Sequence, residues 1–241
     1  MVTHSYSDTP QDLFAKILYH LSEYIAYERE EGTAELEFSS SFSFVSGPSV
    51  PAGDDFVLKK LDEIAKAVSL CRKCPLHRER RLPVPGEGAT SPEIMFVGEA
   101  PGFEEDCAGR PFVGAAGELL TRMIEAMGYK REQVFIANII KCRPPANRTP
   151  YPDEISQCLP YLNEQIRILK PRVIVALGAT AAKAFWGQET SISKVRGRFM
   201  SYMGIPVMPT YHPAFLLRSP AFKKEAWADL LKVLTFLGRK I

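Results

Sequence analysis

The chain has 241 residues, 46% hydrophobic and 24% charged, with a formal net charge of +2. That is the composition of one globular domain with additions, or of two small ones. It excludes a uniformly basic molecule, and no run reaches the roughly 20 apolar residues of a membrane span. Residues Met1 to Asp8 lack the basic and apolar regions of a secretory signal, so the protein is expected to be soluble and cytoplasmic.

The first element comes from Leu13, Phe14, Ile17, Leu18, Leu21, Tyr24 and Ile25, which share one helical face across residues 10–30. Residues 39–54 (SSSFSFVSGPSVPAGD) are rich in Ser, Gly and Pro and read as a linker. The expected organisation is a helical extension over 1–38, the linker over 39–54, and a domain over 55–241. Residues 55–69 form an amphipathic helix through Phe56, Leu61, Ile64, Ala65 and Val68, which delivers the chain to Cys71-Arg-Lys-Cys74. Four short apolar runs follow, Ile94–Gly98, Val134–Ile139, Val173–Leu177 and Ile205–Pro209. Helical stretches at about 117–127, 153–169 and 179–187 separate them, and a last helix covers about 221–237. Continuously apolar strands alternating with helices predict an α/β fold. Its centre would be a four-stranded parallel sheet flanked by helices in three α/β/α layers. Sites in such sheets lie beyond the carboxyl ends of the strands. Gly98–Asp106, Asn138 and Tyr211-His212 all fall there.

The cysteines point to a second centre. Cys71 and Cys74 form a CxxC pair, and Cys142 and Cys158 follow, separated by fifteen residues. In a reducing compartment, metal or iron–sulfur ligation explains them better than disulfides. The spacing alone leaves zinc and a [4Fe–4S] cluster open. His77 is read as a surface or phosphate-contact residue and Cys107 as a free thiol. Basic residues crowd the CxxC (Arg72, Lys73, Arg78, Arg80, Arg81), with further groups at Lys194, Arg196, Arg198 and at Arg218, Lys223, Lys224. Each is either a solvated face or part of a surface for a polyanion.

The strings GEAPGFEEDCAGRPFVGAAG, NIIKCRPPANRTP and TYHPAFLLR, in that order and together with the four cysteines, resemble the family 4 uracil-DNA glycosylases. These are the iron–sulfur members of that superfamily. The resemblance covers about residues 65–235. It implies a DNA-repair hydrolase that removes uracil from single- and double-stranded DNA and leaves an abasic site. A structural [4Fe–4S] cluster would sit on Cys71, Cys74, Cys142 and Cys158, with no nucleotide cofactor.

In the implied site Phe112 stacks on an extruded base. Gly98 and Ala100 border it, Asn138 reads the uracil edge, and His212 donates to uracil O2. Glu99 positions water and steadies the cationic sugar, and Glu105 walls off a thymine methyl, although these two roles could be exchanged. Asp106 orients the loop. Arg148, Pro213 and Arg218 contact DNA, with Pro101, Ala214, Arg110 and Arg143 as further candidates. Residues 143–150 contain no histidine and no insertion that would trap DNA covalently. A monomer is expected, and no partner is identified for the extension. Two alternatives remain at this stage: a glycosylase of broader damaged-base specificity, and a catalytically silent iron–sulfur DNA-binding protein.

Overall fold

A computed structural model describes residues 53–187 and 191–239. The predicted N-terminal helix and all of the linker but Gly53 and Asp54 lie outside them. Those two residues open α1 (Gly53–Ser69) rather than closing a linker, and Asp54 and Asp55 put negative charge in its first turn, where the helix dipole favours it.

The core strands are those expected from the apolar runs: β2 (Ile94–Gly98), β3 (Phe135–Asn138), β4 (Val173–Leu177) and β6 (Ile205–Thr210). They run parallel in the order β3-β2-β4-β6. The full sheet has six strands, because antiparallel edges flank this core. Strand β1 (Glu87–Gly88) pairs with β3, and β5 (Met200–Tyr202) pairs with β6. Neither edge was expected. Two residues of Glu-Gly carry no periodicity. The β5–β6 hairpin turns through Met203 and Gly204, both at positive φ, the backbone of a two-residue hairpin turn.

Side chains alternate across β2, so Met95 and Val97 face one layer while Ile94 and Phe96 face the other. The first layer is built from α4 (Pro152–Leu169) and α5 (Ala179–Trp186), with Val57 and Leu61 of α1 packed against it. The second holds α3 (Ala115–Ala126) and α8 (Lys223–Phe236). Three short helices, α2 (Phe103–Ala108), α6 (Ile192–Val195) and α7 (Pro213–Arg218), complete the fold. No helix among the described residues is long and apolar enough to cross a membrane.

The register aligns the functional edge. Gly98 pairs with Asn138, and Leu177 with Thr210, so β2, β3, β4 and β6 finish side by side. The segments leaving them carry Glu99, Lys141–Cys142, Gly178–Thr180 and Tyr211–His212.

Candidate active site and cysteine centre

A cleft of about 780 Å³ opens beyond this edge, with Glu99, Ala100, Pro101, Glu105, Phe112, Asn138, Thr180, His212, Ala214 and Arg218 among its lining residues. At its floor Asn138 is 1% exposed, and its Oδ1 is buried without a hydrogen-bond partner. An unpaired buried carbonyl oxygen costs about 1–3 kcal/mol, and a ligand N–H would remove that cost. Phe112 lies beside it at φ 51°, a left-handed backbone that is uncommon for a bulky residue. Its ring centroid is 5.6 Å from that of His212. Two glycines make this approach feasible. A Cβ on Gly98 would stand 2.4 Å from Asn138 Oδ1 and 2.5 Å from Phe112 Cζ, and one on Gly117 would stand 1.9 Å from the Phe112 carbonyl oxygen.

His212 caps α7, accepting the Ala214 N–H at Nδ1 over 3.1 Å. The proton of the neutral ring is therefore on Nε2, which makes that nitrogen a donor. The imidazole is partly open to the cleft and enclosed by protein elsewhere. Lost solvation and then the charge of Arg218 push its pKa down to about 4, with Glu105 opposing.

The two carboxylates of the first motif are separated by their surroundings. Glu105 is nearly buried and fully committed. Its Oε1 accepts from Val113 N (2.8 Å) and Gly114 N (3.0 Å), and its Oε2 accepts from Gly102 N (3.0 Å). It ties the start of α2 to the Phe112 loop. Glu99 is less buried, and one oxygen, Oε2, accepts from the Thr180 hydroxyl in the first turn of α5. Asp106 accepts from Arg81 N at 2.9 Å and so orients the loop as expected.

The four expected cysteine ligands line one small cavity with Val68, His77, Arg80, Lys141 and Tyr161, while Cys107 is exposed and does not line it. Arg80 Nη1 donates to Cys142 Sγ (3.0 Å), and the Lys141 backbone N–H donates to Cys158 Sγ (3.2 Å). His77 Nδ1 bonds the Cys74 carbonyl at 2.7 Å, which holds the CxxC turn. Burial pushes the Cys158 thiol up to about 12 and also raises Cys142 and Cys74. Among the described residues no three His, Cys, Asp or Glu side chains converge closely enough for a single metal ion.

Comparison with known proteins agrees with this geometry. The model of the uracil DNA glycosylase superfamily matches residues 85–231. The chain belongs to the uracil-DNA glycosylase superfamily. It is 49% identical to a type-4 uracil-DNA glycosylase of Pyrobaculum aerophilum over 72% of this chain and 91% of the relative. A type-4 enzyme of Thermotoga maritima is 46% identical over 75% of this chain and 96% of its own length. Similarity to a type-5 uracil-DNA glycosylase of Pyrobaculum aerophilum is weaker, 31% over 62% of this chain and 74% of the relative.

Within this uracil-DNA glycosylase fold, Gly98, Glu99, Ala100, Glu105, Phe112, Asn138 and His212 come together as expected. The expected DNA contacts divide. Arg218 is exposed on the cleft rim and makes no hydrogen bond or ion pair among the described residues. Arg148 instead pairs bidentately with Glu154, at 2.8 and 2.7 Å, and holds that carboxyl below its usual range. Arg110 pairs with Glu87 at 2.7 Å, and Arg143 bonds Asn147. Pro213 is buried at the first turn of α7, leaving Ala214 on the cleft. Arg196, one of the expected surface cations, is committed to buried Asp229 at 2.8 Å. The matched strings contain one lysine, Lys141, which is wholly buried with its Nζ on Gln165 and does not line the cleft. Thr180 is the site residue that sequence reading missed. Its signal was position alone, in the first helical turn after a strand at the functional edge.

Proposed function

We propose that this protein hydrolyses the N-glycosidic bond of uracil in single- and double-stranded DNA, releasing uracil and leaving an abasic site for base excision repair. The observation that carries the reading is the orphaned Oδ1 of Asn138, buried beside Phe112 at the floor of the cleft. Uracil presents N3–H, the donor this oxygen lacks. Cytosine presents a lone pair at N3, so acceptor would face acceptor. Sites built to use a substrate hydrogen bond reject analogues lacking it by as much as about 10⁴–10⁵.

An extruded base would lie on the Phe112 ring, its N3–H on Asn138 and its O2 toward the Nε2–H of His212. Bond cleavage leaves negative charge on uracil and positive charge on the sugar. A neutral imidazole donates to O2 as that charge grows, a contribution of the oxyanion-hole kind. Glu99, the less committed carboxylate, faces the cationic sugar and the attacking water, and Thr180 fixes its orientation. Glu105 acts through the backbone: with three amides bonded it keeps the Phe112 loop in place, and the pocket wall against a thymine methyl is part of that loop. Arg218 meets a DNA phosphate, a salt-sensitive contact that carries no base information.

The reading includes a [4Fe–4S] cluster on Cys71, Cys74, Cys142 and Cys158. The donor set fits it. Four thiols share one cavity, two of their sulfurs already accept N–H groups, and burial disfavours the free thiolates of Cys74, Cys142 and Cys158, a cost that a metal replacing their protons would offset. Hydrolysis changes no oxidation state, so the cluster's contribution is structural, bracing the loops at 78–81 and 143–148. The test is an end-labelled oligonucleotide with one uracil, single-stranded and paired with guanine, beside a thymine control. Strand scission at uracil only, and only after alkali, is expected. No scission by iron-loaded protein would overturn the proposal.

A further inference from the structure

Lys141 is wholly buried, yet its ammonium has one hydrogen-bond partner, the neutral Oε1 of Gln165 at 2.8 Å. No carboxylate pairs with it among the described residues. A buried ammonium without a counter-charge is strongly unfavourable, and a methionine would fill the same space at no electrostatic cost. Hydrogen bonding does not explain the charge. The chain from Lys141 through Gln165 Nε2 to the Pro85 carbonyl, and from Val84 N to the Lys141 carbonyl, ties a loop to α4 and to the segment leaving β3, but neutral groups could do the same.

What lies nearby is the cysteine cavity. Lys141 lines it, precedes Cys142, and gives its backbone N–H to Cys158 Sγ. Gln165 follows Cys158 by seven residues, two helical turns along the same face of α4. The ammonium is therefore held on the Cys158 face of α4, about 10 Å along the helix axis from that residue, within reach of its charge in a low-dielectric interior. Arg80 is a second positive charge at the cavity, donating to Cys142 Sγ at 3.0 Å and to the neutral Val68, Ser69 and Cys71 carbonyls, which also fix the turn around the CxxC.

We propose that Lys141 is a buried counter-cation of the iron–sulfur cluster, its ammonium adding to the Arg80 guanidinium in offsetting the net negative charge that four thiolates bring into the cavity. The inference rests on the cluster reading given above. It makes Lys141 a positioning and charge-setting residue for the cluster and not a group that touches DNA.

The test compares purified native protein with Lys141→Met, which removes the charge and keeps the stem, and Lys141→Arg, which keeps the charge. Gln165→Glu is the fourth sample and works by another route, because it neutralises the ammonium in place without shortening any side chain. Iron and visible absorbance are measured first, then the cluster's midpoint potential by voltammetry. Removing or cancelling a nearby positive charge makes the cluster harder to reduce. The expected result is a more negative potential in Lys141→Met and Gln165→Glu, with Lys141→Arg close to native. Cluster-loaded Lys141→Met and Gln165→Glu with the native potential would overturn the proposal. So would a shift in Lys141→Arg as large as in Lys141→Met, which would mark a packing effect. Native protein without iron would instead refute the cluster itself, and the inference with it.

Discussion

Asn138→Ala separates a base reader from a packing residue. The buried Oδ1 has no partner, so the native chain carries an unmet desolvation cost of about 1–3 kcal/mol that the substitution returns. The space left behind opens on the cleft, where water can fill it. The packing loss is then smaller than the ~2–5 kcal/mol of a large apolar truncation in a closed core. The two terms oppose, and the variant is expected within ~1 kcal/mol of native stability by urea denaturation at unchanged slope. The rate behaves differently. Losing the contacts to the uracil edge is expected to lower single-turnover uracil release by roughly 10²–10³, the size of losing one preorganised transition-state donor. An inactive variant as stable as native is the signature of a functional side chain. A stability loss above ~3 kcal/mol, or a rate within ~3-fold of native, would refute the reasoning.

Four further outcomes follow from the same geometry. His212 has a folded pKa near 4 against an ordinary 6.5, so the unfolded chain binds the proton first. Stability should be full above pH 6.5 and fall as pH drops from there toward 4, with His212→Gln flattening that decline in urea titrations; a native kcat/KM limb at pH 6.5 assigned to His212 would contradict a neutral imidazole. Thr180→Val removes the hydroxyl that bonds Glu99. It should cost ~10-fold in kcat, corresponding to about one hydrogen bond to a charged group, while Thr180→Ser retains native behaviour. Arg218→Gln should lower the slope of log affinity against log salt by ~1 with stability unchanged. Arg148→Gln should instead lower the melting temperature, because Glu154, with a side chain 2% exposed, is left with the Tyr151 N–H and no countercharge.

The four core strands were legible because strands buried on both faces read as unbroken apolar runs, and Ile94–Gly98 and Val173–Leu177 match residue for residue. The edges were not. Strand β1 exists because Glu87 and Gly88 meet Ile136 and Phe135, a pairing nearly fifty residues away that leaves no local pattern. The residues that meet in the cleft were legible as motifs, since Asn138, Phe112 and His212 stand in recognisable strings. The different settings of Glu99 and Glu105 were not, because they depend on which donors reach each carboxylate after folding. The arginines show the same limit. Arg110, Arg148 and Arg218 are equal as cations in the sequence, and only the positions of Glu87 and Glu154 commit two of them and leave the third exposed.

The central claim is that Asn138 Oδ1 accepts uracil N3–H. The most direct measurement is single-turnover base release from three otherwise identical strands carrying uracil, N3-methyluracil or cytosine, with the free base quantified by chromatography. The account predicts release of uracil alone, since the other two bases lack the donor. Release of N3-methyluracil or cytosine at a rate near that of uracil would contradict it.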